Sequence, residues 1–172
     1  MPERSGPAAV LVGPPGAGKS SVATVLGQRT GLAVRDTDFD VERAAGRRIS
    51  EIFTDLGEAE FRRLEREAVA AALAEHTGIL ALGGGAVMDP ATRELLRAHR
   101  VAFLSVTMPN GVRRTGLSAA RPLLTGVNPR ATFKALLDAR LPLYREVATI
   151  EVPTDEMSVE QVAQVIIAEW GL

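Results

Sequence analysis

The chain has 172 residues, 46% hydrophobic and 24% charged, a size and balance suited to one domain with a sizeable core. It contains no cysteine, which excludes disulfides, thiolate-bound zinc and thiol catalysis. The net charge of −1 gives no field that would gather nucleic acid or a membrane surface, and no apolar run approaches the ~18 residues needed to cross a bilayer. Residues 1–7 lack the apolar core of a secretory leader, so a cytoplasmic monomer acting on small molecules is expected.

Apolar runs predict strands at 8–12, 32–34, 79–82, 101–106 and 149–152. Helical patterning lies between and after them, at 18–29, 39–45, 49–56, 58–75, 91–98, 109–115, 131–145 and 158–169. Such alternation implies an α/β fold, a parallel sheet with helices on both faces. Ligands of these sheets sit beyond the carboxyl ends of the strands, so chemistry is sought just after each apolar run.

The first run leads into Gly13-Pro-Pro-Gly-Ala-Gly-Lys-Ser20, which fits G-x-x-x-x-G-K-[ST] at every fixed position and opens a helix. This P-loop predicts a nucleoside triphosphate site. Backbone N–H groups of Gly16, Ala17, Gly18, Lys19, Ser20 and Ser21 face phosphate oxygens, helped by the positive end of the helix dipole. Lys19 reaches the β- and γ-phosphates, and the Ser20 hydroxyl ligates Mg²⁺. Lys19 is one of only two lysines in the chain, kept where a compact point charge suits a phosphate.

After the second run comes Arg35-Asp-Thr-Asp38. If the strand continues through it, Asp36 and Asp38 point to one side, one to hold Mg²⁺ and the other to accept a hydroxyl proton. The alternative is helix capping, with Thr37 and Asp40 as a capping box and Asp38 as a first-turn acid. On the helix at 58–75, Phe61, Leu64, Ala68 and Leu73 form a core stripe with Arg62 beside it. Arg62 is either an anion fork oriented by Glu65 or part of a solvated network with Glu58 and Glu65. Gly83, Gly84 and Gly85 follow the third run and let something approach the backbone closely, which suits a substrate floor.

The segment 116–129 is bounded by Gly and Pro and carries Arg121; its length suits a lid, with a surface connection as the alternative. Arg140, in Arg140-Leu-Pro-Leu-Tyr-Arg145, is a further candidate anion clamp. His76 and His99 are read as structural or solvated, and Trp170 as a packing residue.

Taken in order, the loop 13–20, Asp36-Thr37-Asp38, Phe61-Arg62-Arg63-Leu64-Glu65, Gly83-Gly84-Gly85, Arg121-Pro122-Leu123 and Arg140-x-Pro-Leu-Tyr144 resemble the bacterial shikimate kinases. The resemblance implies a nucleoside-monophosphate-kinase-like P-loop NTPase with a five-stranded parallel sheet and a lid, in one kinase domain. It implies ATP-dependent phosphorylation of the shikimate 3-hydroxyl, with Mg²⁺, on the route to aromatic amino acids. Lys19, Asp38 and Arg121 would then be catalytic. Asp38, Arg62, Glu65, Gly83, Gly84, Gly85 and Arg140 would bind shikimate. Arg114 and Arg121 would join the loop at the nucleotide, while Ser20 and Asp36 would hold the metal. Two departures stand out: Ala81 replaces a serine common in the family, and the adenine-side loop Pro153-Thr-Asp-Glu-Met157 is acidic, so Met157 is assigned no nucleotide contact. A gluconate kinase would share loop and lid without needing the paired arginines or the glycine run. A nucleotide-dependent switch is the other alternative, although the Asn-Lys-x-Asp base reader of GTPases is absent.

Overall fold

The central strands of this protein are short and apolar because both faces of the sheet are covered there. The computed structural model describes residues 5–107 and 129–172. In chain order the strands are β1 (Ala9–Val12), β2 (Val34–Asp36), β3 (Ile79–Ala81), β4 (Val101–Ser105) and β5 (Ile150–Pro153). The helices are α1 (Lys19–Thr30), α2 (Thr37–Ala45), α3 (Ile49–Leu56), α4 (Glu58–Glu75), α5 (Pro90–Leu96), α6 (Pro129–Val147) and α7 (Val159–Trp170), with a 3-10 turn at Ala86–Met88. The expected helix at 109–115 lies outside the described residues.

All pairings are parallel and the strand order is β2-β3-β1-β4-β5, the five-stranded sheet expected. Side chains of β1 alternate between two cores, as the period of two requires. Ala9 and Leu11 pack with Val22, Leu26 and Ile166 of α1 and α7. Val10 and Val12 pack with Val69, Leu96 and Tyr144 of α4, α5 and α6. A smaller cluster of Val41, Ile52 and Phe61 joins α2, α3 and α4, and the Phe53 and Phe61 rings lie 4.7 Å apart.

One expectation shifts. The second strand begins at Val34 rather than Leu32, because pairing with β3 starts at Val34 opposite Ile79 and ends at Asp36 opposite Ala81. Its edge position leaves Val34 exposed, so apolarity alone misplaces its bounds. Helix α6 runs through Pro142, four residues beyond Asp138, whose carbonyl loses its helical donor there.

Past the sheet's carboxyl end, the Thr154 hydroxyl and N–H both donate to the Ser105 carbonyl, at 2.8 and 2.9 Å. Asp155 accepts from the Thr107 N–H at 3.0 Å and from its hydroxyl at 2.9 Å. One acid of the 153–157 loop therefore braces the ends of β4 and β5. Leu11 is completely buried at the sheet's centre. Replacing it with alanine is expected to cost about 2–5 kcal/mol in urea unfolding; a loss below about 1 kcal/mol would contradict this packing.

Candidate active site

The phosphate loop is held against β4. A Cβ on Gly13 would stand 2.5 Å from the Leu104 carbonyl oxygen, so only glycine lets the chain turn there. Gly18, at φ 87°, then opens α1 with no side-chain cap and no acid in the first turn. A helix start without a capping side chain, at the positive end of the dipole, favours an anion. Lys19 folds back over the loop, its Nζ donating to the Gly13 and Pro14 carbonyls at 2.7 and 3.1 Å. Ser20 Oγ donates to Asp36 Oδ2 at 3.3 Å.

Asp36 corrects one reading of the Asp-Thr-Asp run. The strand does not continue to Asp38: Asp36 is its last residue and also the N-cap of α2. Its Oδ1 accepts the Asp38 N–H at 2.9 Å, so Asp36, not Thr37, is the cap. Capping uses one oxygen of Asp36 and leaves the other facing Ser20. Both Asp36 and Asp38 line the same cleft even though strand alternation does not aim them there. Ser20 and Asp36 offer hard oxygen donors, the kind Mg²⁺ takes when phosphates and water complete its shell. Among the described residues no group of three or more His, Cys, Asp or Glu is placed to enclose a metal alone.

The glycine run explains how the remaining residues meet. A Cβ on Gly83 would lie 2.7 Å from Asp38 Oδ1 and 2.8 Å from Glu65 Oε2. One on Gly84 would lie 3.0 Å from Pro15 Cδ of the phosphate loop. One on Gly85 would fall within the Arg62 guanidinium. The close approach expected is therefore made by the site's own side chains. Arg62 Nη1 donates to Glu65 Oε1 at 2.7 Å, and its guanidinium carbon lies 5.1 Å from the Phe61 ring centroid. Arg62 Nε also pairs with the exposed Glu58 carboxylate at 3.7 Å, so the network with Glu58 and Glu65 is present. The neighbouring Arg63 is held between Glu60 and Glu67 at 3.0 and 2.9 Å.

Glu65 is buried, and burial pushes its carboxyl up while the Arg62 and Arg140 guanidiniums favour its ionised form. Arg140 is only 3% exposed rather than solvated. Its Nε and that of Arg62 are buried without a hydrogen-bond partner. Arg62 Nε has only the exposed Glu58 at 3.7 Å, beyond hydrogen-bond reach, so both donors keep capacity for a further anion.

A cleft of about 500 Å³ runs from Gly16–Ser21 past Asp36, Asp38 and Gly84 to Thr154, Met157 and Val162. Arg62, Glu65 and Arg140 do not line it; Arg62 and Glu65 lie against the glycine run, and Arg140 is near enough to Glu65 to favour its charged form. Met157, given no nucleotide contact from the sequence, does line it. The sequence reading also assigned no role to Tyr144. Its hydroxyl donates to the Gly84 carbonyl, and the only clue was its place one helical turn after Arg140. Arg114, Arg121 and all but the last residue of the expected lid at 116–129 lie outside the described residues.

The loop, sheet order and cleft define a P-loop kinase of the nucleoside-monophosphate-kinase-like class. A family model described as shikimate kinase matches residues 15–170, and the chain belongs to the shikimate kinase family. A shikimate kinase of Saccharopolyspora erythraea is 66% identical over 149 residues, covering 87% of this chain and 85% of the relative. Another, from Salinispora arenicola, is 60% identical over 157 residues, covering 91% and 93%. Both extend far beyond the phosphate loop, so the match is not confined to a motif shared by many NTPases. The solved shikimate kinase from Acinetobacter baumannii in complex with shikimate superposes with a TM-score of 0.92 at 34% identity, covering 97% of this chain and 93% of that one.

Gly85→Ala should leave the fold stable, since the added methyl displaces only the flexible end of Arg62. The displaced fork should weaken acid-acceptor binding and spare ATP binding in steady-state kinetics; equal weakening of both would contradict the geometry. Glu65 supplies a pH test. Its raised carboxyl lets the folded chain hold a proton that the unfolded chain releases near 4.5. Wild-type stability relative to Glu65→Gln should therefore fall as pH rises above 4.5, in urea unfolding at stepped pH. A relative stability that grew with pH would mean that ion pairing outweighs burial.

Proposed function

We propose that this protein transfers the γ-phosphoryl group of ATP to the 3-hydroxyl of shikimate, giving shikimate 3-phosphate and ADP on the way to chorismate and aromatic amino acids. One observation carries the reading: Asp38 lines the cleft beside the phosphate loop, and both Asp38 and Glu65, the partner of Arg62, come up against Gly83. Membership of the family and the shikimate-bound relative support the choice of acceptor.

In this mechanism the loop amides and Lys19 bind the β- and γ-phosphates. Arg62 and Arg140 clamp the substrate carboxylate, with Glu65 fixing the first of them. Backbone groups of Gly83, Gly84 and Gly85 receive the ring hydroxyls. Asp38 orients the 3-hydroxyl and accepts its proton as the O–P bond forms and the bond to the β-phosphate oxygen breaks. Phosphoryl transfer needs positioning and charge neutralisation more than covalent catalysis, and these residues supply both. Ser20 and Asp36 would hold Mg²⁺, which when bound neutralises charge on the β- and γ-phosphates. Arg114 and Arg121 are assigned to the nucleotide, and Arg121 also to the transferring group, from the family pattern. The chain acts in this reading as one kinase domain, a monomer in the cytoplasm, on small molecules alone. Its net charge of −1 supplies no field to gather a polyanionic partner.

The test is ADP release with Mg²⁺ and ATP. Turnover should require shikimate and be absent with gluconate; turnover with gluconate would overturn the acceptor assignment. Lys19→Ala and Asp38→Asn should fold normally and lose about 10²-fold or more in kcat. Arg140→Ala should raise the shikimate KM about tenfold or more while sparing that of ATP. Normal kinetics in any of the three would remove that residue from its role.

A further inference from the structure

Tyr144 is completely buried, and its hydroxyl donates to the carbonyl of Gly84, the middle residue of the glycine floor. We propose that Tyr144 is a positioning residue of the acceptor site, one that sets the direction of the Gly84–Gly85 peptide and hence of the N–H donors that meet the substrate's hydroxyls. The inference rests on the acceptor reading given above.

Three consecutive glycines have broad backbone freedom and would not by themselves form a prepared surface. Tyr144 restrains the middle of that run. Peptides here are trans, so fixing the Gly84 carbonyl also fixes the Gly85 N–H, which points the opposite way. Neither the Gly84 nor the Gly85 N–H donates to a protein acceptor among the described residues, which leaves both for a ligand. Close approach to Pro15 limits Gly84 further, so its backbone is held between the phosphate loop and α6.

The anchor is itself rigid. The Tyr144 ring stacks on Phe103 at 4.9 Å between centroids and 21° between planes. Burial pushes the phenol up to about 12, so the hydroxyl keeps its proton and remains a donor at neutral pH. Arg140 sits one turn earlier on the same helix and is also buried. Helix α6 thereby carries the carboxylate clamp and the floor's anchor on one rigid element, and the spacing between them follows from helix geometry.

Tyr144→Phe keeps the ring and removes only the hydroxyl. It should raise the shikimate KM about five- to tenfold, leave the ATP KM unchanged and alter kcat less than the shikimate KM. Val69→Ala, in the same core, should lower Tm and leave the shikimate KM as in wild type. An unchanged shikimate KM in Tyr144→Phe, or an equal rise in Val69→Ala, would overturn the proposal. A measurement on wild-type protein stands apart from any folding defect: the Gly84 and Gly85 amide resonances should move as shikimate is titrated, and stationary resonances would overturn it. Failure of the wild type to phosphorylate shikimate would instead sink the acceptor reading, and this inference with it.

Discussion

The site depends on a stretch of backbone that has no side chains. Gly83, Gly84 and Gly85 leave β3 where Asp38, Glu65, Pro15 and Arg62 all come close enough to exclude a methyl group. An alanine at any of the three would crowd at least one of these groups. The glycine run is therefore where the phosphate loop, the Asp36–Asp38 turn and the α4 ion pair are brought into register. Helix α6 closes the arrangement through Tyr144 and carries Arg140 with it.

Electrostatics follow from that geometry. Burying Glu65 among arginines is costly unless the charges are matched, and burial does push its carboxyl up. Arg62 answers one oxygen of Glu65, yet the Nε of Arg62 and that of Arg140 each lack a hydrogen bond among the described residues, with the exposed Glu58 no nearer than 3.7 Å to the first. Such unmet donors lower stability in the ligand-free protein and raise selectivity for an acid that can meet them. A polyol without a carboxylate would leave them unmet. The same logic operates at the phosphate loop, where Lys19 turns onto two loop carbonyls that an arriving phosphate can outcompete.

Much of this was legible in the sequence because it is local. The loop 13–20, the alternating strands and the glycine run declare themselves within a few residues. The Asp-Thr-Asp run was harder, since strand alternation and helix capping use the same residue types. Asp36 ends the strand and caps the helix at once, so both readings held a part of the truth. Arg62 and Arg63 are adjacent on α4, and only packing against Gly85 separates the inner one from the surface pair with Glu60 and Glu67. Tyr144 reaches Gly84 across 60 residues, a contact that no periodicity reveals. The acid Asp155 looked unfavourable for a nucleotide loop until Thr107 proved to be its partner.

The central claim is that one carboxylate-bearing acceptor spans Arg62, Arg140 and Asp38 over the glycine floor. A crystal structure with shikimate and a non-hydrolysable ATP analogue tests it directly. The account predicts the shikimate carboxylate on Arg62 and Arg140, and the 3-hydroxyl within hydrogen-bond reach of Asp38 on the side facing the γ-phosphate. Shikimate bound with its carboxylate elsewhere, or with the 3-hydroxyl turned from Asp38, would contradict it.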